Sequence, residues 1–434
     1  MVTVYNLNNL CNIDILLGEK SEEKQEIIDK FKLLEKTWVY NNQNYNVIKY
    51  DKNYLATDLY NNLGIFRSLV HRNKKILAVS PPKSITYDEF CEKYDIYSCY
   101  TEEFIEGTMI NLFYDHDNDT WVYSTKSSVG ASVYFFNPKA NTKTTVETNV
   151  ETNVETNVES DNSKNKTFGE MFLEVCLASN IDFNIFPKEY CYSFVFQHPE
   201  NRIVIPIYDM KLYLIKVYHI NNETYTITEM NKEAIINNIG GIFINKFIYL
   251  PLKYSIYDIE TIKYNVASMN TPYNILGIMI YAPDGTRTKL RNPNYESIRK
   301  LRGNQAKLQY QYLVLRQSGK IKDFLLYFPE YKKLFSTYRD QLHKYTDTLF
   351  SNYIKCYINK QLELKHFPHE YKTHMFNLHK YYLDELREQK LYINKNVVQN
   401  YVNNIQPPLL MYTLNYNLRK QYIDQKLSES ICVS

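Results

Sequence analysis

Two neighbouring runs, Phe104 to Tyr114 and Thr120 to Ser124, alternate apolar and polar residues with period two on either side of the polar stretch Asp115 to Asp119. The pattern predicts an antiparallel hairpin with Glu106-Gly107 on its first strand and Lys126 on the strand after the turn. Leu63 to Phe90 reads as strand, turn at His71 to Lys75, strand, a Pro81-Pro82 break and a helix start at Thr86 or Tyr87. Cys191 to Ile227 carries a run of β-segments broken at His198 to Asn201, Pro206 to Asp209 and Ile220 to Glu223. Helical spacing dominates elsewhere. Ile27, Ile28, Phe31, Leu34 and Trp38 recur at three and four residues behind an acidic first turn with Ser21 as N-cap, and Phe168, Met171, Phe172, Val175 and Cys176 share one face. From Gln305 onward the stepping is helical throughout, from Phe324, Phe328, Phe335 and Tyr338 to Leu349, with Pro368 and Pro407-Pro408 as punctuation.

These elements predict an α+β chain, antiparallel sheets with helices followed by an all-helical C-terminal domain. A composition break interrupts it: Glu147 to Val158 repeats Glu-Thr-Asn-Val three times. Low apolar content cannot offset ordering entropy there, so 138–166 is expected to be a disordered insertion. The expected organisation is a first domain part over 1–137, the insertion, a second part over 167–303 and a helical domain over 304–434.

With 434 residues there is enough chain for a substantial core. Lys+Arg of 51 against Asp+Glu of 48 gives a net charge of +3, so a polyanion partner must be met by a local patch rather than by the overall field. Seven cysteines without a CxxC pair fit reduced thiols, and no apolar run is long enough for a membrane span. His366, His369, His374 and His379 are spaced three, five and five apart across Pro368 and do not place three imidazoles on one helix face, so no metal site is expected. No Walker A loop, dinucleotide fingerprint, HExxH or GxSxG stands in the chain.

The hairpin start, Glu103 to Gly107, together with Leu63-Gly64, Phe194-Val195-Phe196, Pro199, Asn201 to Val204, Lys211 to Leu214, Leu276-Gly277, Asp284-Gly285, Lys289-Leu290-Arg291 and Tyr295, resembles ATP-dependent RNA ligases of the phage T4 RNA ligase 1 type. The resemblance covers about residues 60 to 303 in motif order and spacing, and it implies a nucleotidyltransferase domain. In that family a lysine takes AMP, an arginine contacts phosphate, and carboxylates hold metal and sugar. The matching positions here are Phe104, Leu63, Val195 and Leu276, none of which can fill those roles. Arg67 replaces the lost arginine only if the strand register differs. What the resemblance leaves polar is Glu106, Gly107, Lys126, Lys289 and Arg291 as nucleotide or phosphate contacts.

Arg287, Tyr295, Arg299, Lys300 and Arg302, with Lys289 and Arg291, form the most basic cluster of the chain, and a grip on a nucleic-acid backbone with the Tyr295 ring stacked on a base is expected. The expected function is a catalytically inactive RNA ligase-like protein that binds RNA, another nucleic acid or a nucleotide, or serves as a viral interaction protein. No cofactor is expected on that reading. Two alternatives stand beside it: an active ligase using ATP and Mg2+ through a relocated lysine such as Lys83 or Lys126, and a purely structural virion or partner-binding protein. The composition, rich in Asn, Ile, Lys and Tyr, points to an AT-rich genome, and together with the ligase-like core to a large DNA virus, hence to a host-cytoplasmic replication site or the virion.

Overall fold

The computed structural model describes residues 3–51, 53–54, 64–133, 166–240, 247–305 and 307–431. Leu63 and the Glu-Thr-Asn-Val repeats lie outside the described residues. Those described fall into two compact units, 3–133 with 166–299 and 300–431. The protein is α+β: the first unit holds three sheets with helices, and the second is helical.

A seven-stranded sheet runs through the first unit, with Thr108–Asp115, Tyr190–Gln197 and Lys211–Asn221 at its centre. These strands are built from β-branched and aromatic residues that pack on both faces. Tyr192, Phe194 and Phe196 join Phe172, Met171 and Val175 of helix Phe168–Ala178 on one side. Cys191, Phe113 and Tyr218 pack on the other side with the four-stranded sheet that runs from Leu33–Tyr40 to Lys75–Val79. A second four-stranded sheet pairs Tyr100–Glu103, Gly277–Tyr281 and Arg287–Arg291 antiparallel, with Lys253–Tyr254 at its edge.

The hairpin forms as Thr108–Asp115 with Thr120–Ser124. Its first strand starts later than the alternation suggests, however. Tyr100–Glu103 belongs to the smaller sheet, so Phe104 to Gly107 is the crossing between two sheets and not part of the hairpin. Gly107 makes the crossing possible: at φ +153° a Cβ there would stand 2.4 Å from the Phe196 carbonyl oxygen.

Another expectation is corrected near the N-terminus. Ser21 does cap a helix, Glu22–Phe31, but Lys32 turns left-handed and Leu34 and Trp38 lie on strand Leu33–Tyr40, paired with Gln43–Tyr50. A run of aromatic and β-branched residues there satisfied two periods, and strand pairing decided between them. The Thr86 cap, the helix Tyr87–Lys93, the Asp284-Gly285 turn and the helix Pro293–Arg302 form where the pattern places them.

In the second unit, helix Lys332–Tyr353 buries Phe335, Tyr338, Leu342, Tyr345, Leu349 and Tyr353 along one stripe, with Phe324 stacked on Phe335 at 5.1 Å. His374 is buried between the Tyr401 hydroxyl and Thr413, and His379 stacks on Tyr357 at 3.9 Å. Among the described residues no group of three metal-ligating side chains forms. No helix among them is long and apolar enough to cross a membrane.

Candidate polyanion site

Strand Arg287–Arg291 sends every second side chain to one face, so Arg287, Lys289 and Arg291 stand in a row, while Thr288 and Leu290 face the opposite way. Helix Pro293–Arg302 adds Arg299, and the short helical turn Gly64–Arg67 adds Arg67. The electrostatic neighbours of Lys289 are Arg291, Arg287, Arg67 and Arg299, and among the described residues it has no hydrogen-bond or ion-pair partner. Burial first, then those four charges in that order, pushes its ammonium down to about 8. Burial and the Arg287 charge push Arg67 down to about 10.

The cations are held by neutral groups for the most part. Arg287 donates to the Pro82 carbonyl at 2.6 Å and to that of Pro81 at 3.1 Å, and Arg67 donates to Pro81 at 3.2 Å. Among the described residues, the one carboxylate paired with the row is Glu296, which takes Arg291 and lies 3.4 Å from Arg299. Behind the row, the Tyr218 hydroxyl is fully buried without a hydrogen-bond partner among the described residues, and Arg287 and Arg67 are among its charged neighbours. Nearby buried cations are neutralised instead: Lys216 by Glu229 and Lys232 by Glu102. The Lys289 row is thus a concentration of positive charge with too few carboxylates, an arrangement that gains energy when an anion enters.

Glu106 is buried and its Oε1 accepts from the backbone amides of Val204 and Ile205, at 3.0 and 2.9 Å. The Tyr295 hydroxyl also hydrogen-bonds Glu106, and burial followed by that charge pushes its pKa up. Asn201 to Val204 is therefore a loop folded onto the sheet crossing, not a strand. Phe104 is half-buried, with the Arg291 guanidinium 5.5 Å from its ring centre. Val195 sits in a small apolar cluster with Ile105 and Ile215, and Leu276 is buried beside Asn292, whose side-chain amide holds the Pro272 and Ile275 carbonyls.

Several expected contacts are placed differently. Tyr295 is buried, so its ring is not open to a base. The Arg287 guanidinium is engaged with two carbonyls, and Arg302 is buried. Lys300 is exposed at the helix end. Lys126 follows the strand, which ends at Ser124, and projects exposed from the turn Thr125 to Ser128. Arg67 joins the row from the short helical turn Gly64–Arg67, where a strand was expected.

Some site residues were hidden from pattern reading. Alternation along Lys211–Asn221 puts Lys216 on the face of Leu212 and Leu214, yet a bulge between Leu214 and Lys216 lets Val217 continue that face instead. Lys216 thereby reaches the Tyr100 hydroxyl at 2.8 Å and lies 4.2 Å from the centre of the Tyr281 ring. No sequence signal marks such a bulge.

No family model matches the chain, and no curated protein matches it. Solved structures show limited likeness. A protein provisionally assigned as an ATP-dependent DNA ligase from Aquifex aeolicus aligns at 11% identity over 83% of this chain and 80% of its own, with a TM-score of 0.37. An archaeal ATP-dependent RNA ligase aligns at 11% identity over 70% and 68%, again with 0.37. A lysine-to-alanine mutant of an RNA ligase from Naegleria gruberi, solved with ATP and Mn, aligns at 8% identity over 64% and 83%, with 0.32. The structural neighbours of the chain are thus ATP-dependent DNA and RNA ligases, at a level of likeness that assigns neither family nor activity.

Proposed function

We propose that this protein is a catalytically inactive, RNA ligase-like module that grips the phosphates of RNA or another polyanion through Arg67, Lys289, Arg291 and Arg299. The observation that carries this reading is Lys289, surrounded by four arginines and without a carboxylate of its own among the described residues. Inactivity follows from the residues at the positions that the ligase resemblance maps: Phe104 lies beside a guanidinium, and Val195 and Leu276 are buried apolar side chains. That set does not fit a divalent cation, which needs oxygen ligands, and no step is assigned to ATP or Mg2+. A viral replication site or virion as its setting, and viral proteins as further partners, rest on composition and resemblance.

The test measures binding of labelled single-stranded RNA, DNA of the same sequence and duplex RNA by fluorescence anisotropy across salt. Affinity should fall with salt, and Lys289→Ala with Arg291→Ala should lower the log–log slope by roughly one to two. A salt-independent affinity, or a slope unchanged in the double variant, favours the structural or partner-binding reading. One observation favours a working ligase. With its ammonium lowered to about 8, Lys289 can present a neutral amine near neutral pH, as a nucleophilic lysine must. Incubation with labelled ATP and Mg2+ decides: no protein–AMP adduct is expected, and an adduct lost in Lys289→Ala, Lys83→Ala or Lys126→Ala would establish catalysis.

A further inference from the structure

The helical unit contains a cavity of about 450 Å³ walled by helices His369–Tyr381, Lys395–Asn404 and Pro407–Leu414. It lies wholly within the second unit and shares no residue with the Lys289 row. Its size falls in the lower part of the roughly 300–1,000 Å³ span of small-ligand pockets. Flat rings supply much of the wall: His369 and Tyr416 lie 6.3 Å apart, His374 and Tyr401 5.8 Å apart, and Tyr412 is 55% exposed. The Arg419 guanidinium covers one face of Tyr412, 3.2 Å from the ring centre. A planar guest can stack on such surfaces whatever its exact substituents.

The polar lining narrows the chemistry of that guest. Asn377, Asn404 and Gln406 present neutral amides, each with donors and an acceptor. His374 is held neutral, its pKa lowered by burial, with its ring nitrogens on Tyr401 and Thr413. The single carboxylate in the wall, Glu370, already accepts from the Asn417 amide at 2.9 Å. A wall of rings and amides with its carboxylate engaged suits an uncharged flat molecule with a mixed donor and acceptor edge better than an ion or an aliphatic chain. We infer that this cavity binds a nucleobase, with the ring against Tyr412 or Tyr416 and its edge read by Asn377, Asn404 and Gln406. Arg419, held over the Tyr412 ring, stands beside the cavity, where the sugar-phosphate of a bound strand would emerge.

Uncharged nucleosides separate this inference from the polyanion reading, because they carry no phosphate for the Lys289 row. Adenosine, guanosine, cytidine and uridine are titrated into the full-length protein with methyl signals of Ile405 and Leu409 observed by NMR. At least one nucleoside should shift these signals saturably. Leu409→Trp, at a position 52% exposed at the rim, should weaken binding about tenfold or more by filling the space, and Gln406→Ala should change the preference among bases. An intact spectrum away from the cavity and an unchanged unfolding midpoint establish that each variant is folded. Absence of saturable shifts with all four nucleosides, or equal binding by folded Leu409→Trp, overturns the inference. Shifts produced by tyrosine amide but by no nucleoside overturn it in favour of a peptide side chain.

Discussion

Lys289 shows how one residue can be costly for the free protein and useful for binding. Its pKa of about 8 lies below the ordinary 10.5, so between these values the unfolded chain holds more protons than the folded one, and stability rises with pH across that window. Below about 8 the full penalty of the buried, crowded charge is present. Lys289→Met should therefore stabilise the protein at pH 7 by on the order of 2 kcal/mol, with the gain shrinking as the pH approaches the unfolded value. The same substitution should weaken RNA binding. Urea unfolding at several pH values checks the first effect and anisotropy the second; a loss of stability at pH 7 would mean that the row is not strained by its own charge. Binding of an anion should also raise the Lys289 pKa, so complex formation near pH 8 to 9 should take up protons, which calorimetry in buffers of different ionisation heat can read.

At the scale of elements, the row depends on how closely two strands of the smaller sheet approach. Gly277 stands opposite Arg291 at φ +132°, and a Cβ there would lie 2.0 Å from the Leu290 carbonyl oxygen. Its carbonyl accepts from the Phe104 amide at 3.1 Å, so the same residue anchors the crossing between sheets. Gly277→Ala should cost more than about 2 kcal/mol in denaturant unfolding and, by moving strand Arg287–Arg291, lower RNA affinity beyond what stability explains. A neutral effect on both would show that the strands separate easily. The glycine-containing pair was legible in the sequence; its reason was not. Period-two alternation gave the strands on both sides, yet whether Glu106-Gly107 continues a strand or crosses between sheets depends on a partner some 170 residues away in sequence.

For the whole molecule, a net charge of +3 leaves polyanion binding to a local patch, and the Lys289 row lies within the first unit. The second unit also has its own core, in which Phe324, Phe335, Leu342, Leu349, Met375 and Leu378 are buried. Residues 300–434 expressed alone should fold with native helix content and a single cooperative transition by circular dichroism; a broad, non-cooperative melt would show that this core needs the rest of the chain. The α+β class, the helical C-terminal region, the Ser21 cap, the helix start at Thr86 or Tyr87, the helical face from Phe168 to Cys176 and the basic run from Arg287 onward were all set by the sequence alone, because periodicity, caps and charge are local properties. The tertiary structure decided which of those cations converge. It buried Tyr295 against Glu106, spent Arg287 on two proline carbonyls, brought Arg67 across from a separate segment and left Lys289 among four arginines. Charge is written in the chain, but desolvation and the distance between charges exist only once distant segments are packed together.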